Sequence, residues 1–195
     1  PRQITGAGVR TRLQKLQQRV SEVLRGAGLC EHVSFSMMGA CDLDLLGLAE
    51  NAPERRALRL RDPATENQEL MRTTLLAGLL AAAQRNAHRR VEDVALFETG
   101  RVFIPRDAGL PDERQRLGAL VMGSARTSLW NLPDNYEQMD FYWLRGVLEQ
   151  LAARLHIADL RFVRGRHDSL HPGRTAELLI GRTRLGVIGE VAPAV

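Results

Sequence analysis

Lysine is nearly missing from this chain of 195 residues: Lys15 stands alone among 27 basic residues, and the rest are arginine. That scarcity excludes two chemistries. A GxxxxGK[ST] phosphate loop cannot be present, because Lys15 sits in LQKLQQ. A Schiff-base or nucleophilic lysine would have to be that same residue, on the polar face of a helix. Cysteine is also scarce: Cys30 and Cys41 make neither a disulfide framework nor a CxxC metal clip. They read as reduced, buried thiols of a cytosolic protein. Aromatic residues are only 5% of the chain, few for stacking nucleic-acid bases. No apolar run approaches the roughly 20 residues that span a bilayer, and PRQITGAGVRTR has no apolar segment of the secretory type. Internal repeats and low-complexity segments are absent as well.

What is present is the composition of an ordinary globular protein, 44% hydrophobic and 26% charged. A chain of this length buries about 70% of its unfolded surface, and a single domain over 1–195 is the economical reading. The first residue is not Met, and GVIGEVAPAV stops just after a strand pattern, so the sequence reads as a piece of a longer protein. The net charge of +4 and pI near 9.8 suit steering of a polyanion. Arginine used in place of lysine is also a common genomic coding bias, so it is weak evidence for such a partner.

The periodicity mixes helices and strands. Leu13, Leu16, Val20, Val23, Leu24 and Ala27 recur at three- and four-residue steps and predict a helix over 11–27. EHVSFSM (31–37) alternates Val33, Phe35 and Met37 against His32, Ser34 and Ser36, a half-buried strand with the apolar set inward. A short helix near 40–48, a polar loop at 49–56 and a strand through Leu58 and Leu60 follow, ending at Asp62-Pro63. A Leu/Ala-rich helix runs from about Thr73 to Ala87, with Asn67 and Thr73 as candidate caps. Strands at 94–104 and 117–122 flank a loop at 105–114. The stretch 124–138 reads as a mobile loop, and Phe141 to Leu155 repeats helical spacing. Last come a strand at 160–164 and a hairpin, TAELLI and TRLGVIGEV, joined by Gly181-Arg182 in a type II′ turn. Helices mixed with an antiparallel hairpin favour an α+β fold.

Candidate chemistry is thin. His167 and His171 have helical metal-ligand spacing, but Pro172 and Gly173 follow at once and no third ligand is near. Gly6-Ala7-Gly8 lacks the preceding strand of a dinucleotide fingerprint and reads as a flexible lead-in. Gly186 and Gly189 are explained by a bulge or close backbone approach. Glu98, Glu177 and Glu190 would serve acid–base chemistry if they converged, although pairing with arginines such as Arg72 and Arg101 is the commoner outcome. Arg72, Arg101 and Arg174 are shaped to grip phosphate, yet in so arginine-rich a chain structural or interface roles come first.

One further pattern spans nearly the whole chain. It consists of DPATENQELMRTTLLAGLL (62–80), with Met71-Arg72-Thr73 leading into the Leu-rich helix, then LFETGRVF (96–103), a helix opened by Asp140-Phe141, and HPGRTAEL (171–178). In order and spacing it resembles phenylalanyl-tRNA synthetase, in the catalytic-like region of its β subunit. Departures are mild: Asp62-Pro63 where Asn-Pro is usual, Ala77-Gly78-Leu79-Leu80 for Pro-Gly-Leu-Leu, and Ala192-Pro193 for His-Pro.

The resemblance implies a class II synthetase-like antiparallel sheet flanked by helices. LFETGRVFIPRD resembles the second class II motif, with Arg101 and Arg106 nearby, and GVIGEVAP resembles the third, but no arginine follows it to hold a nucleotide. It therefore implies a catalytically inert domain that packs against the catalytic α subunit of phenylalanine–tRNA ligase in a cytoplasmic heterotetramer. This domain would bind no cofactor, ATP and magnesium being used by the full enzyme, and tRNA(Phe) would touch its rim. Arg72, Glu98, Arg101, His171 and Arg174 become structural or interface residues. An exposed apolar surface is expected from Met71–Leu80 or from the helix at 139–155. The rival readings are an active class II ATP-dependent ligase, which would need a complete set of phosphate arginines, and a basic RNA-binding module.

Overall fold

The computed structural model describes residues 8–125 and 138–195. Helix α1 (Arg12–Gly26) starts at a capping box, in which Thr11 Oγ1 accepts from the Gln14 amide at 3.2 Å and Gln14 Oε1 accepts from the Thr11 amide at 2.9 Å. Strands β1 (Cys30–Glu31) and β2 (Met37–Met38) and helix α2 (Ala40–Leu45) follow. Then come β3 (Leu70–Met71), α3 (Leu76–His88), β4 (Val94–Ile104) and β5 (Asp112–Met122). The chain closes with α4 (Phe141–Arg154), β6 (Leu160–Arg164), β7 (Leu170–Ile180) and β8 (Thr183–Val191).

The strands form a sheet of order β1-β4-β5, a second of order β6-β7-β8, and a β2-β3 ribbon. All pairs are antiparallel except β1 with β4, which run parallel. The fold is α+β, as expected, but the strands divide between separate sheets and include that parallel pair.

Alternation along β4 explains the layering. Val94 and Leu96 pack toward Leu79 and Ala83 of α3, with Leu120 and Met122 of β5. Ala95 and Phe97 face the other way, toward Leu24 of α1 and Val147 and Leu151 of α4, with Ala119 and Val121. Both faces are covered there, so the first four residues of β4, Val94–Phe97, read as a continuous apolar run. Helix α4 also serves the second sheet: Phe141, Leu144 and Leu148 pack on Ala176, Leu178 and Ile188. A further core of Met38, Leu43, Leu46, Leu48, Ala52 and Leu70 lies around α2. It is tied to the second sheet by Ser169, whose Oγ donates to the Leu46 carbonyl at 2.6 Å, and by Asp168, which accepts from the Ala49 amide at 2.9 Å.

Several local expectations are corrected. The strand at 31–37 splits: β1 ends at Glu31, and Val33 and Phe35 point to solvent while His32 and Ser34 are half-buried. The strand through Leu58 and Leu60 shrinks to an isolated bridge, Arg59 opposite Leu70. Neither Asn67 nor Thr73 caps α3; its N-cap is Leu75, and Thr73 Oγ1 instead donates to the Glu54 carbonyl at 2.6 Å. Strand β5 starts at Asp112 rather than 117, because its charged first half is held by register with β4 rather than by burial. Cys30 and Cys41 are exposed, not buried. The 124–138 loop and the Gly6-Ala7 lead-in lie almost entirely outside the described residues.

Candidate functional site

The sequence-predicted residues fall into separate places. Arg72, in the turn before α3, and Glu98, on β4, form a buried ion pair at 2.6 Å with side chains 7% and 2% exposed. Ser34 completes the cluster: its Oγ accepts from Arg72 Nη1 at 2.9 Å and donates to Glu98 Oε2 at 2.7 Å. Arg72 Nε donates to the Arg101 carbonyl at 2.7 Å, and Nη1 also reaches the Phe35 carbonyl at 3.4 Å. The Arg72 backbone is held as well, its amide donating to Ser36 and its carbonyl accepting from Phe103.

Two glycines make room for this cluster. A Cβ on Gly100 would fall on Arg72 Nη2, and one on Gly78 would sit 2.6 Å from Ser34 Oγ. Breaking a buried pair by removing one partner typically costs about 3–5 kcal/mol, because the survivor is left buried and uncompensated. The cluster thus joins three stretches, the 34–36 segment, the lead into α3, and β4. Sequence reasoning paired Arg72 with a strand carboxylate but missed Ser34. The polar half of the His32/Ser34 alternation was its only signal.

Glu98, Glu177 and Glu190 do not converge. Glu177 pairs with Arg184 at 3.3 Å and Glu190 with Arg174. Arg101 pairs with Glu113 at 2.8 Å across the β4–β5 hairpin. Arg106 and Arg114 share Asp112 at 3.4 and 2.6 Å. The Arg114 hydrogen bond, helped by the charges of Arg114 and Arg106, holds the Asp112 carboxyl below its ordinary value against an opposing desolvation. His167, in the loop before β7, and His171, near the start of β7, each accept at Nδ1 from the backbone amide two residues on, at 3.2 and 3.1 Å. Among the described residues no three His, Cys, Asp or Glu side chains gather as a metal set, and no helix is long and apolar enough to cross a membrane.

Above the buried pair lies a groove of about 590 Å³ between the 32–38 segment and α3, lined in part by Val33, Phe35, Met37, Ala77, Ala81 and Arg85. Val33 and Phe35 are 84% and 71% exposed. No large apolar residue of Met71–Leu80 is exposed, so the apolar surface expected there is absent, and α4 contributes Tyr142 at 72%.

Over its whole length, residues 1–195, the chain matches the family described as the phenylalanyl tRNA synthetase beta chain CLM domain. The chain belongs to that family. Among curated relatives, the phenylalanine–tRNA ligase beta subunit of Moorella thermoacetica is 40% identical over 100% of this chain and 24% of its own length. The beta subunit of Symbiobacterium thermophilum is 39% identical over 96% of this chain and 21% of its own. This CLM-family chain therefore spans about a quarter of the relatives it matches. Among solved structures, pyrrolysyl-tRNA synthetase from Desulfitobacterium hafniense superposes with a TM-score of 0.65 at 15% identity, over 90% of this chain and 57% of that one. That likeness is one of fold.

Proposed function

We propose that this chain is a non-catalytic scaffold within a phenylalanine–tRNA ligase β subunit, packing against the catalytic α subunit and supporting ATP-dependent charging of tRNA(Phe). Family membership supports the ligase setting. The observation that carries inertness is the engagement of the arginines that a class II site would turn toward nucleotide phosphates. Arg72 is locked on Glu98, while Arg101 and Arg106 face Glu113 and Asp112. A guanidinium grips phosphate through its free N–H fork. At Arg72 that fork is occupied by carboxylate, hydroxyl and carbonyl oxygens inside the protein. On this reading ATP and magnesium belong to the α subunit, and the chain works in the cytoplasm. Contact with tRNA falls at the rim, where Arg85, Arg89 and Arg90 are exposed and form no ion pair among the described residues.

The test is phenylalanine-dependent ATP–pyrophosphate exchange by the chain alone. No exchange above the buffer blank is expected. Turnover that survives Arg72→Ala but is lost with Arg101→Ala would identify a working site on the β4–β5 hairpin and overturn the proposal.

A further inference from the structure

Resting on the ligase setting proposed above, we infer that residues 164–174, which join β6 to β7, form a second tRNA contact, one that grips the phosphate backbone and reads no base. Two independent observations carry it. The first is charge without a structural partner. The stretch RGRHDSLHPGR sets three arginines and two histidines against one carboxylate, Asp168. That carboxylate is held by the Ala49 amide at 2.9 Å. Arg164 and Arg166 are exposed and make no ion pair or hydrogen bond among the described residues. Arg174 meets Glu190, yet its side chain stays 61% exposed. At the end of α3, part of the positive charge answers the helix dipole. No helix ends within 164–174, so these cations answer none. Gly165, between Arg164 and Arg166, donates to the Thr175 carbonyl at 3.2 Å, and a Cβ there would lie 2.5 Å from Glu177 Cγ. A backbone pinned in this way has less freedom left to lose on binding.

The second observation is the state of the two imidazoles. His167 Nδ1 accepts from the Ser169 amide, and His171 Nδ1 accepts from the Gly173 amide. With Nδ1 used as an acceptor, the proton of each neutral ring sits on Nε2. Neither Nε2 has a partner among the described residues, and neither is a buried atom left unsatisfied. Both therefore offer an N–H donor to solvent, in the neutral ring as in the charged one. The turns that hold them are closed: the His167 carbonyl accepts from the Leu170 amide at 3.0 Å, and the His171 carbonyl accepts from Thr175 Oγ1 at 2.7 Å.

Guanidinium forks and N–H donors side by side call for an occupant rich in oxygen acceptors. The stretch holds no aromatic residue, so it has nothing on which to stack a base. A phosphodiester backbone fits that set, since phosphate contacts position a nucleic acid and carry no sequence information. The ligase setting supplies the nucleic acid, tRNA(Phe).

The test is binding of a fluorescent tRNA(Phe) transcript to this chain across a salt series. Arg164→Ala with Arg166→Ala should weaken binding at least about tenfold and lower the salt slope by about 2. Arg12→Ala with Arg19→Ala removes the same charge from α1 and should cost less than about threefold. Both arginine pairs should melt with the wild type, because all four side chains are exposed. His171→Gln keeps a donor near the Nε2 position and should bind as the wild type does. His171→Asn keeps only a group near Nδ1 and should lose roughly three- to tenfold. A transcript of an unrelated tRNA should bind as tightly as tRNA(Phe). Equal losses from the two arginine pairs would mean that net charge alone is felt. Displacement of the transcript by poly-glutamate as readily as by unlabelled tRNA would mean an acidic protein partner. Either result overturns the inference, as does a wild-type chain that binds no tRNA. None of them touches the scaffold reading, which stands or falls on association with the α subunit.

Discussion

At the scale of single residues, Arg72 and Glu98 dominate. Each would be an unfavourable buried charge alone, and together with Ser34 they satisfy one another. Glu98→Ala is therefore expected to destabilise the chain by about 3–5 kcal/mol in denaturant unfolding. The double change Arg72→Met with Glu98→Leu should be milder than either single change, since no charge is then stranded. A single substitution costing less than about 1 kcal/mol would mean that water reaches the pair. Ser34→Ala is expected to fall between, near the roughly 1 kcal/mol of an ordinary hydrogen bond plus the acceptor it leaves unmet.

At the scale of elements, the termini of helices and strands set the predictions. Asp140 caps α4, accepting from the Trp143 amide at 2.8 Å. Asp140→Ala should cost about 1 kcal/mol, read in the same unfolding assay, because α4 bridges the two sheets. Helix α3 has no side-chain cap, so Thr74→Ala, which removes only a local bond to the Leu76 amide, should cost clearly less. In the β4–β5 hairpin, Asp112 titrates below its ordinary range owing to Arg114 and Arg106. A lowered folded-state value means its contribution is present above the unfolded value and is lost as pH falls through the folded one. Asp112→Asn should therefore narrow the stability gap between neutral and acid pH, checked by thermal melts across the acid range. An unchanged pH profile would show that these exposed pairs contribute nothing.

The same elements show what was legible in the sequence. Helices α1 and α4 and strand β4 follow from periodicity, since each buries its pattern on a neighbour, except that Leu13 and Leu16 at the start of α1 stay exposed. The Gly181 turn follows from local backbone chemistry, with φ at 58° as its first central position requires. What could not be read depends on distant partners. The alternation holds over 32–35, but Val33 and Phe35 face outward because Ser34 is drawn to residues on β4 and before α3. The candidate arginines and carboxylates could both be named, but not which pairs with which, since Arg72 with Glu98 and Arg174 with Glu190 are matched by sheet register and packing.

At the scale of the whole molecule, the chain is a CLM-family unit spanning about a quarter of its relatives, similar in fold to a solved synthetase, with Arg72 and Arg101 paired to Glu98 and Glu113. The most direct test of the inert scaffold is calorimetry on the purified chain, titrated first with ATP and magnesium and then with the separately expressed α subunit of phenylalanine–tRNA ligase. No heat of ATP binding and a saturable heat with the α subunit are expected. Saturable ATP binding without any association with the α subunit would contradict the inert scaffold, and would mean that the chain carries a working nucleotide site.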